Sequence, residues 1–285
     1  SLQEVINVGI EDSLALELFQ ARTVREIIAK ARQALPESAF SGILKREDTV
    51  FWSQVLQEEP SPETRSKLKL HFDIFDKFVS LLEVLIIKFL FRAIFSVKVE
   101  GKKNIPKDGA FVITVNHVSY LDPFYVLCAL PLRVIIKTYF VGFGDIFNHP
   151  LLAWGVRFHR LIPIDADLNL AEALKVCRYV LSKNKVLVYF PEGQRSIDGK
   201  LKEFRKGIGI LIKESGADVL PVYVSGAYKA WPRTRGFALP ADVTVKIGRC
   251  LDVASLSLGE GEDPYVVIAH NLKKEVAELE KSQAF

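Results

Sequence analysis

Short runs of Val, Ile, Leu and Phe alternate with segments of helical periodicity throughout the chain after Gly101. The candidate strands lie at 97–100, 111–115, 134–141, 161–164, 186–190, 219–224 and 243–247, and the candidate helices at 123–130, 169–181, 206–214 and 264–281. Continuous apolar runs separated by helices are typical of a sheet that is buried on both faces. We therefore predict an α/β fold, with a mixed, largely parallel sheet flanked by helices.

The region before these strands has a different character. Residues 1–70 contain several helix-like stretches and no convincing strand, and Pro60 and Pro62 mark a boundary because proline interrupts regular elements. A chain of 285 residues is long enough for one large domain and a smaller appendage. We predict a helical N-terminal region over 1–70 and an α/β domain over 71–285.

Residues 78–95 form the most apolar segment of the chain, with Glu83, Lys88 and Arg92 as its charged residues. Three charges in one helix argue against a membrane-spanning segment. Two interpretations remain open. The segment is either a helix in the bilayer interface, with Lys88 and Arg92 reaching toward headgroups, or a helix packed on the core.

Charge and cysteine content exclude several classes of protein. The net charge is +4, from 38 basic and 34 acidic residues, and this excess does not argue for a nucleic-acid partner. The three cysteines are far apart and show no disulfide framework, and the histidines show no metal-ligand spacing. No secretory signal opens the chain over residues 1–17. We expect no metal, a reducing compartment, and a cytoplasmic location.

The first chemically informative patch, residues 116–122, follows the strand predicted at 111–115. It places His117 five positions ahead of Asp122. A neutral imidazole can take a proton from an alcohol if a carboxylate fixes its tautomer and stabilises the resulting cation. The alternative is structural, because Asp122 before Pro123 also suits a helix start, and Asn116 and Ser119 also suit a turn.

The second patch, residues 190–196, lies about 70 residues later, at the end of another predicted strand. Gly193 permits a tight turn, so that backbone N–H groups and Arg195 can converge on one anion. Glu192 can hold Arg195 or a hydroxyl of the ligand. The alternative is a polar loop with solvated charges. A base held by an acid beside an anion-binding turn suggests acyl transfer onto a phosphate-bearing alcohol.

Together the two patches resemble the glycerolipid acyltransferase superfamily, which carries Asn-His-x-x-x-x-Asp followed by Phe-Pro-Glu-Gly-x-Arg-Ser. The likeness spans roughly residues 97–251. It implies that His117 is the general base and Asp122 its orienter. The substrate-binding residues that we predict are Asn116, Ser119, Glu192, Gly193, Arg195, Ser196, Arg160 and Lys206. The expected partners are a lysophospholipid, an acyl thioester donor (acyl-CoA or an acyl carrier protein, with no other cofactor), and the membrane surface.

One departure from the family pattern concerns the acceptor. The family's second block usually ends in an arginine, whereas Ala166 follows Ile164 and Asp165 here, and Arg157 or Arg160 is the candidate substitute. The acceptor is then lysophosphatidate, another lysophospholipid or another alcohol. A non-catalytic lipid-binding module with the same anion site is the alternative function. Either protein would lie peripherally on the inner face of the membrane.

A weaker likeness concerns the start of the chain. Asp12-Ser13-Leu14 is similar to the site in acyl carrier domains at which the serine bears phosphopantetheine. The distance to the helix-like stretch at Thr23 is too short for an intact carrier domain. Residues 1–35 are therefore either a carrier remnant in a fragment of a larger protein, or Ser13 simply starts a helix.

Overall fold

The computed structural model describes residues 49–143, 161–164, 170–256 and 263–282. The chain divides into two compact units, Ser1–Ser53 and Gln54–Phe285. Of the first unit only residues 49–53 are described, and they are helical. The predictions for Ser13 and for the helix near Thr23 lie outside the described residues.

The second unit is built on a seven-stranded sheet with the order β1-β7-β6-β2-β5-β3-β4. Every neighbouring pair is parallel except β6 and β7, which are antiparallel. The prediction of a mixed, largely parallel sheet is confirmed. The strands are β1 (Ser96–Glu100), β2 (Phe111–Val115), β3 (Thr138–Phe143), β4 (Leu161–Ile164), β5 (Val186–Tyr189), β6 (Asp218–Ser225) and β7 (Asp242–Ile247).

Helices cover both faces of this sheet, which explains why its strands are continuously apolar. Helices α2 and α3 pack on one face, and α5, α6 and α8 on the other. The helices are α1 (Pro62–Lys67), α2 (Ile74–Ile94), α3 (Asp122–Ala129), α4 (Leu132–Ile135), α5 (Leu170–Ser182), α6 (Lys206–Ser215), α7 (Ala227–Ala230) and α8 (Pro264–Lys281). Short 3₁₀ helices add Lys102–Asn104 and Val253–Ser255.

The strand predicted at 134–141 is wrong in its first part. Leu132–Ile135 form the short helix α4, in which the Val134 amide donates to the Pro131 carbonyl at 2.9 Å, and the strand begins only at Thr138. Val134 and Ile135 are both buried. A short apolar run does not distinguish a buried helical turn from a buried strand, and here the turn that starts at Pro131 decides.

The polypeptide from Gln54 to residue 70 belongs to the sheet-containing unit. The domain boundary at 71 stays a prediction. The Ser61 amide donates to the Glu172 carboxylate at 2.7 Å, and the Tyr139 hydroxyl donates to the Lys69 carbonyl at 2.9 Å. These bonds join the segment to α5 and β3. Such long-range partners have no signature in the local sequence.

Helix α2 packs on the unit along one side only. Its Phe91 ring lies 5.3 Å from Phe124 and 5.5 Å from Tyr125 of α3, measured between ring centroids. The opposite side, which we call the α2 apolar face, exposes Ile74, Phe75, Phe78, Leu81, Leu82, Leu85, Ile86, Phe89, Leu90 and Ile94. No helix in the described part of the chain is long and apolar enough to cross a membrane.

Candidate active site

The two polar patches leave the same edge of the sheet. Strands β2 and β5 are parallel neighbours, with Val112 beside Leu187 and Thr114 beside Tyr189. The first patch begins directly after β2 ends at Val115, and the second follows the end of β5. Parallel strands present their carboxyl ends at one edge, where α/β proteins commonly bind ligands. The topology thus joins patches that lie about 70 residues apart in the sequence.

His117 and Asp122 form a pair in which the carboxylate is buried and the imidazole is partly exposed. The Nδ1 atom of the His117 ring lies 2.8 Å from Oδ2 of Asp122, and the same oxygen accepts the backbone N–H groups of Val118 and Ser119 at 2.8 Å each. Because this oxygen already accepts two backbone N–H groups, it faces the imidazole as an acceptor. The hydrogen on the ring therefore belongs to Nδ1, which leaves Nε2 as the basic nitrogen.

The local sequence holds this carboxylate in place. Asp122 lies in the first turn of α3, followed by Pro123, and its side chain is fully buried. The positive end of the helix dipole favours a negative charge at this position. The His117 ring stacks on Phe190, with centroids 4.2 Å apart, so the second patch also fixes the plane of the imidazole.

Glu192 joins the two patches through the backbone. Its Oε1 atom accepts the His117 amide at 2.7 Å, and its Oε2 atom accepts the Lys202 amide at 3.1 Å. A further bond runs from the Ser196 amide to the His117 carbonyl at 2.7 Å. The two carboxylate oxygens of Glu192 thus hold the turn after β2 against the loop after β5. Substrate binding by Glu192 stays a prediction.

Burial dominates the electrostatics of Glu192. It raises the pKa of this carboxyl to about 7, against the opposing effect of the His117 and Lys202 amides and of the Lys202 charge. The negative charge of Asp122 raises the pKa further. The group that connects the two patches therefore titrates close to neutral pH.

Gly193 forms the turn that the sequence predicted. Its φ angle is +74°, in the left-handed region that glycine adopts without strain. A Cβ atom at this position would meet the Nε atom of Arg205 at 2.5 Å. Arg205 in turn donates from Nε to the Glu192 carbonyl at 3.3 Å. The glycine is therefore needed both for the backbone conformation and for the approach of this side chain.

Three of the predicted binding residues direct their polar groups into the protein. Asn116 donates to the Val224 carbonyl at 3.1 Å and accepts the Val224 amide at 2.7 Å, which joins the end of β2 to β6. The Ser119 hydroxyl donates to the Trp231 carbonyl at 3.0 Å. The Ser196 hydroxyl donates to Asp198 at 2.8 Å. All three are buried, and these bonds suit them for positioning the patches.

Arg195 is the predicted anion-binding residue that lies beside the pair. Its guanidinium stacks on the Tyr120 ring at 3.6 Å and has no hydrogen-bond partner among the described residues. Burial lowers the pKa of Arg195, and the positive charge of Arg233 lowers it further, while Tyr120 and Asp122 raise it. Two arginines thus lie close enough to repel each other next to the His117 turn.

Of the two remaining predicted binding residues, the structure describes only Lys206. The Lys206 ammonium forms an ion pair with Asp263 at 2.8 Å, immediately before α8. Arg160 lies outside the described residues, as do Arg157 and Ala166. In the part of the chain that the structure describes, no cluster of His, Cys, Asp and Glu side chains could hold a metal ion.

The structure adds aromatic residues that the sequence did not single out for the site. Tyr120 carries the guanidinium of Arg195 on its ring and lies 5.2 Å from Trp231, between centroids. The Tyr120 amide also donates to the Trp231 carbonyl at 3.2 Å. The sequence signal was only the position of Tyr120 within the first patch and of Trp231 among the basic residues at 229–235.

The high pKa of Glu192 generates a prediction about stability. A carboxyl that binds its proton more tightly in the folded state stabilises the fold below the ordinary pKa of glutamate, and this contribution is lost as the pH rises through about 7. We therefore expect the wild-type protein to lose on the order of 2 kcal/mol relative to Glu192→Gln between about pH 5 and about pH 8. Urea unfolding of both proteins across this range measures the difference.

The matched control is Glu203→Gln, which removes an exposed carboxylate from the same loop. The lost or gained hydrogen bonds of Glu192→Gln add an offset that does not depend on pH. A stability difference between wild type and Glu192→Gln that stays constant with pH would contradict the assignment.

Comparisons with known proteins agree with this geometry. Residues 96–225 match the family model described as Acyltransferase. The 1-acyl-sn-glycerol-3-phosphate acyltransferase of Limnanthes douglasii is 29% identical over 182 residues, which cover 62% of this chain and 61% of that protein. The chloroplastic enzyme LPAT1 of Arabidopsis thaliana is 32% identical over 143 residues, covering 48% of this chain and 38% of that protein.

A solved structure is similar over a longer stretch. The 1-acyl-sn-glycerophosphate (LPA) acyltransferase PlsC of Thermotoga maritima shares 25% identity with a TM-score of 0.57, covering 86% of this chain and 96% of that chain. The chain spans about three fifths, 61%, of the length of the Limnanthes relative. Residues 96–225, which include both polar patches, are thus similar to the acyltransferase family that the patches resemble.

Proposed function

We propose that this protein is an O-acyltransferase that moves a fatty acyl group from an acyl thioester to the hydroxyl of a lysophospholipid, such as 1-acyl-glycerol-3-phosphate. The observation that carries the proposal is the His117–Asp122 pair, which the second patch holds directly beside Arg195. The names of the relatives support the same reaction and acceptor. Acyl-CoA or an acyl carrier protein would be the donor.

The reaction follows from the protonation state of the pair. The Nε2 atom of His117 takes the proton of the acceptor hydroxyl as its oxygen attacks the thioester carbonyl. The new C–O bond forms and the C–S bond breaks. The sulfur takes the proton from the His117 imidazolium and leaves as a thiol, which returns the ring to its neutral form. Asp122 keeps the ring in the required tautomer and stabilises the imidazolium that forms in between.

The remaining polar residues have separate roles in this proposal. Asn116, Ser119, Glu192 and Ser196 position the catalytic turn through the bonds described above and do not need to touch the substrate. Gly193 gives the second turn its shape. Arg195 is the group proposed to contact the substrate, since its N–H groups have no hydrogen-bond partner in the described part of the chain.

The acceptor phosphate is proposed to bind between Arg195 and Arg233. The positive charge of Arg233 lowers the pKa of Arg195, and an anion between them would offset this repulsion. The rigid fork of a guanidinium also matches the geometry of a phosphate. Arg233 is exposed and can approach a ligand without leaving a buried site.

The α2 apolar face supports a peripheral location on the membrane, where lysophospholipids are found. Phe75, Phe78 and Phe89 are 68%, 64% and 72% exposed, and the other members of the face lie along the same helix. Contiguous apolar surface of this kind marks interaction sites on proteins. A helix with such a face lies in the plane of the bilayer interface.

The central prediction concerns the catalytic pair. We expect His117→Ala and Asp122→Asn each to lower the turnover of an acyl thioester with lysophosphatidate by roughly 10² to 10⁴-fold, because the first removes the base and the second removes the charge that stabilises it. The measurement is acyl transfer by the purified chain, using several labelled acyl thioesters and a panel of lysolipids.

His270→Ala, on the exposed side of α8, is the matched control and should keep full activity. Near-normal turnover by a folded His117→Ala protein would reject the assignment. If the wild type binds lysolipid vesicles but consumes no thioester with any acceptor, the protein is a lipid-binding module instead.

A second prediction separates the acceptor site from the chemistry. Arg195→Gln should raise the KM for lysophosphatidate by about ten- to a hundredfold, which corresponds to the loss of charged hydrogen bonds to phosphate. Arg233→Gln should raise it by a smaller factor, because this side chain is exposed. With an uncharged monoacylglycerol as acceptor, neither variant should change KM.

Two further variants serve as controls. Arg195→Lys keeps the charge but loses the planar group that stacks on Tyr120, so it should recover only part of the affinity. Arg249→Gln removes an exposed arginine elsewhere and should behave as wild type. An unchanged KM for lysophosphatidate in Arg195→Gln would exclude Arg195 from the acceptor site.

A further inference from the structure

A cavity of about 410 Å³ opens beside the C-terminal half of α2, away from the catalytic pair. Its walls come from α2, from the chain between the end of α3 and α4, and from the 3₁₀ turn after β1. Cys128, a lining residue in α3, comes six residues after Asp122, a distance of about 9 Å at the rise of an α-helix. The proposed acyl transfer assigns no role to this cavity.

The cavity concentrates positive charge. Lys88, Arg92, Lys102 and Arg133 line it, and none of the described residues that line it is acidic. The acidic residues of α2, Asp76 and Glu83, lie in the N-terminal half of the helix. Four cations around one cavity repel each other unless an anion enters.

Lys88 is the innermost of these cations. Its ammonium donates to the Leu130 carbonyl at 2.6 Å and to the Cys128 carbonyl at 3.3 Å, and thereby compensates the negative end of α3. A lysine has three donors, so one remains for a ligand. Burial lowers the pKa of Lys88, and the charges of Arg92 and Lys102 lower it further. An anion in the cavity would offset all three effects.

Leu132 lines the cavity, and exposed apolar residues directly follow the lining residue Lys88 in α2 and the end of α4. Phe89 and Leu90 of the α2 apolar face are 72% and 45% exposed next to Lys88, and Leu132 and Ile136 are 40% and 55% exposed. A free phosphate compound would make no favourable contact with this apolar surface. A phospholipid would, because its acyl chains can pack against apolar side chains near the phosphate site.

We propose that the cavity lined by Lys88, Arg92, Lys102 and Arg133 binds the phosphate group of an anionic phospholipid in the membrane surface. This site is distinct from the acceptor site at Arg195. It rests on the proposed docking of the α2 apolar face to the membrane, which it deepens by naming the lipid class.

Binding of the full chain to vesicles tests the proposal. The vesicles are phosphatidylcholine alone or phosphatidylcholine mixed with phosphatidylglycerol, and the variant is Lys102→Gln with Arg133→Gln, which leaves the buried Lys88 contacts in place. We expect this variant to bind the mixed vesicles roughly twenty-fold more weakly, at about fivefold for each cation near an anionic surface. Binding to pure phosphatidylcholine should not change.

The matched control removes the same charge from the opposite face of the sheet. Lys274→Gln with Lys281→Gln alters two exposed lysines of α8 and should change binding to the mixed vesicles less than twofold. Equal losses in the two double variants would show a diffuse charge effect and overturn the proposal. The proposal is also overturned if Lys102→Gln with Arg133→Gln loses binding of inorganic phosphate but binds the mixed vesicles as wild type does.

Failure of this site is distinguishable from failure of the proposed function. Phe78→Ser with Phe89→Ser should weaken binding to both kinds of vesicle, because it removes apolar contacts and no charge. Acyl transfer to lysophosphatidate dispersed in detergent should be unaffected by either double variant. Loss of that activity in Lys102→Gln with Arg133→Gln would place these residues in the reaction site and overturn the separate lipid site.

Discussion

One carboxylate oxygen, Oδ2 of Asp122, accepts the ring N–H of His117 and the amides of Val118 and Ser119. These hydrogen bonds to one oxygen fix the conformation of the turn between the histidine and the aspartate. Removing the charge leaves buried N–H groups with weaker partners and the imidazole without a fixed tautomer. The proposed acyl transfer depends on this contact, because only the tautomer with a hydrogen on Nδ1 has a basic nitrogen on its outer side.

The position of β2 within the sheet brings the His117–Asp122 pair together with the second patch. Because β2 lies between β5 and β6, its end is joined on one side to the second patch by Glu192 and on the other to β6 by Asn116. Both connections are made by buried polar side chains that bond to backbone groups, so they fix the turn without competing for ligand. Burial raises the pKa of the Glu192 carboxyl to about 7, so the charge of the group that joins the two patches changes near neutral pH.

Much of the fold could be predicted because local composition determines it. Three elements have the bounds that the sequence predicted: the strands at 111–115 and 161–164 and the helix at 264–281. The helix at Leu132–Ile135 was not predicted, since a buried helical turn has the same apolar composition as a strand. For the site, the proximity of the two patches followed from their positions at strand ends. The roles of Asn116 and Lys206 did not, because their partners, Val224 and Asp263, lie far away in the sequence and become neighbours only in the folded chain.

The protonation of the His117 ring is the most direct test of this account. Nitrogen NMR of the protein labelled at histidine distinguishes a ring with hydrogen on Nδ1 from one with hydrogen on Nε2. The account predicts that neutral His117 carries its hydrogen on Nδ1 in the wild type, and that Asp122→Ala releases the ring to the mixture of tautomers found in free histidine. A neutral ring with its hydrogen on Nε2 in the wild type would contradict the central claim.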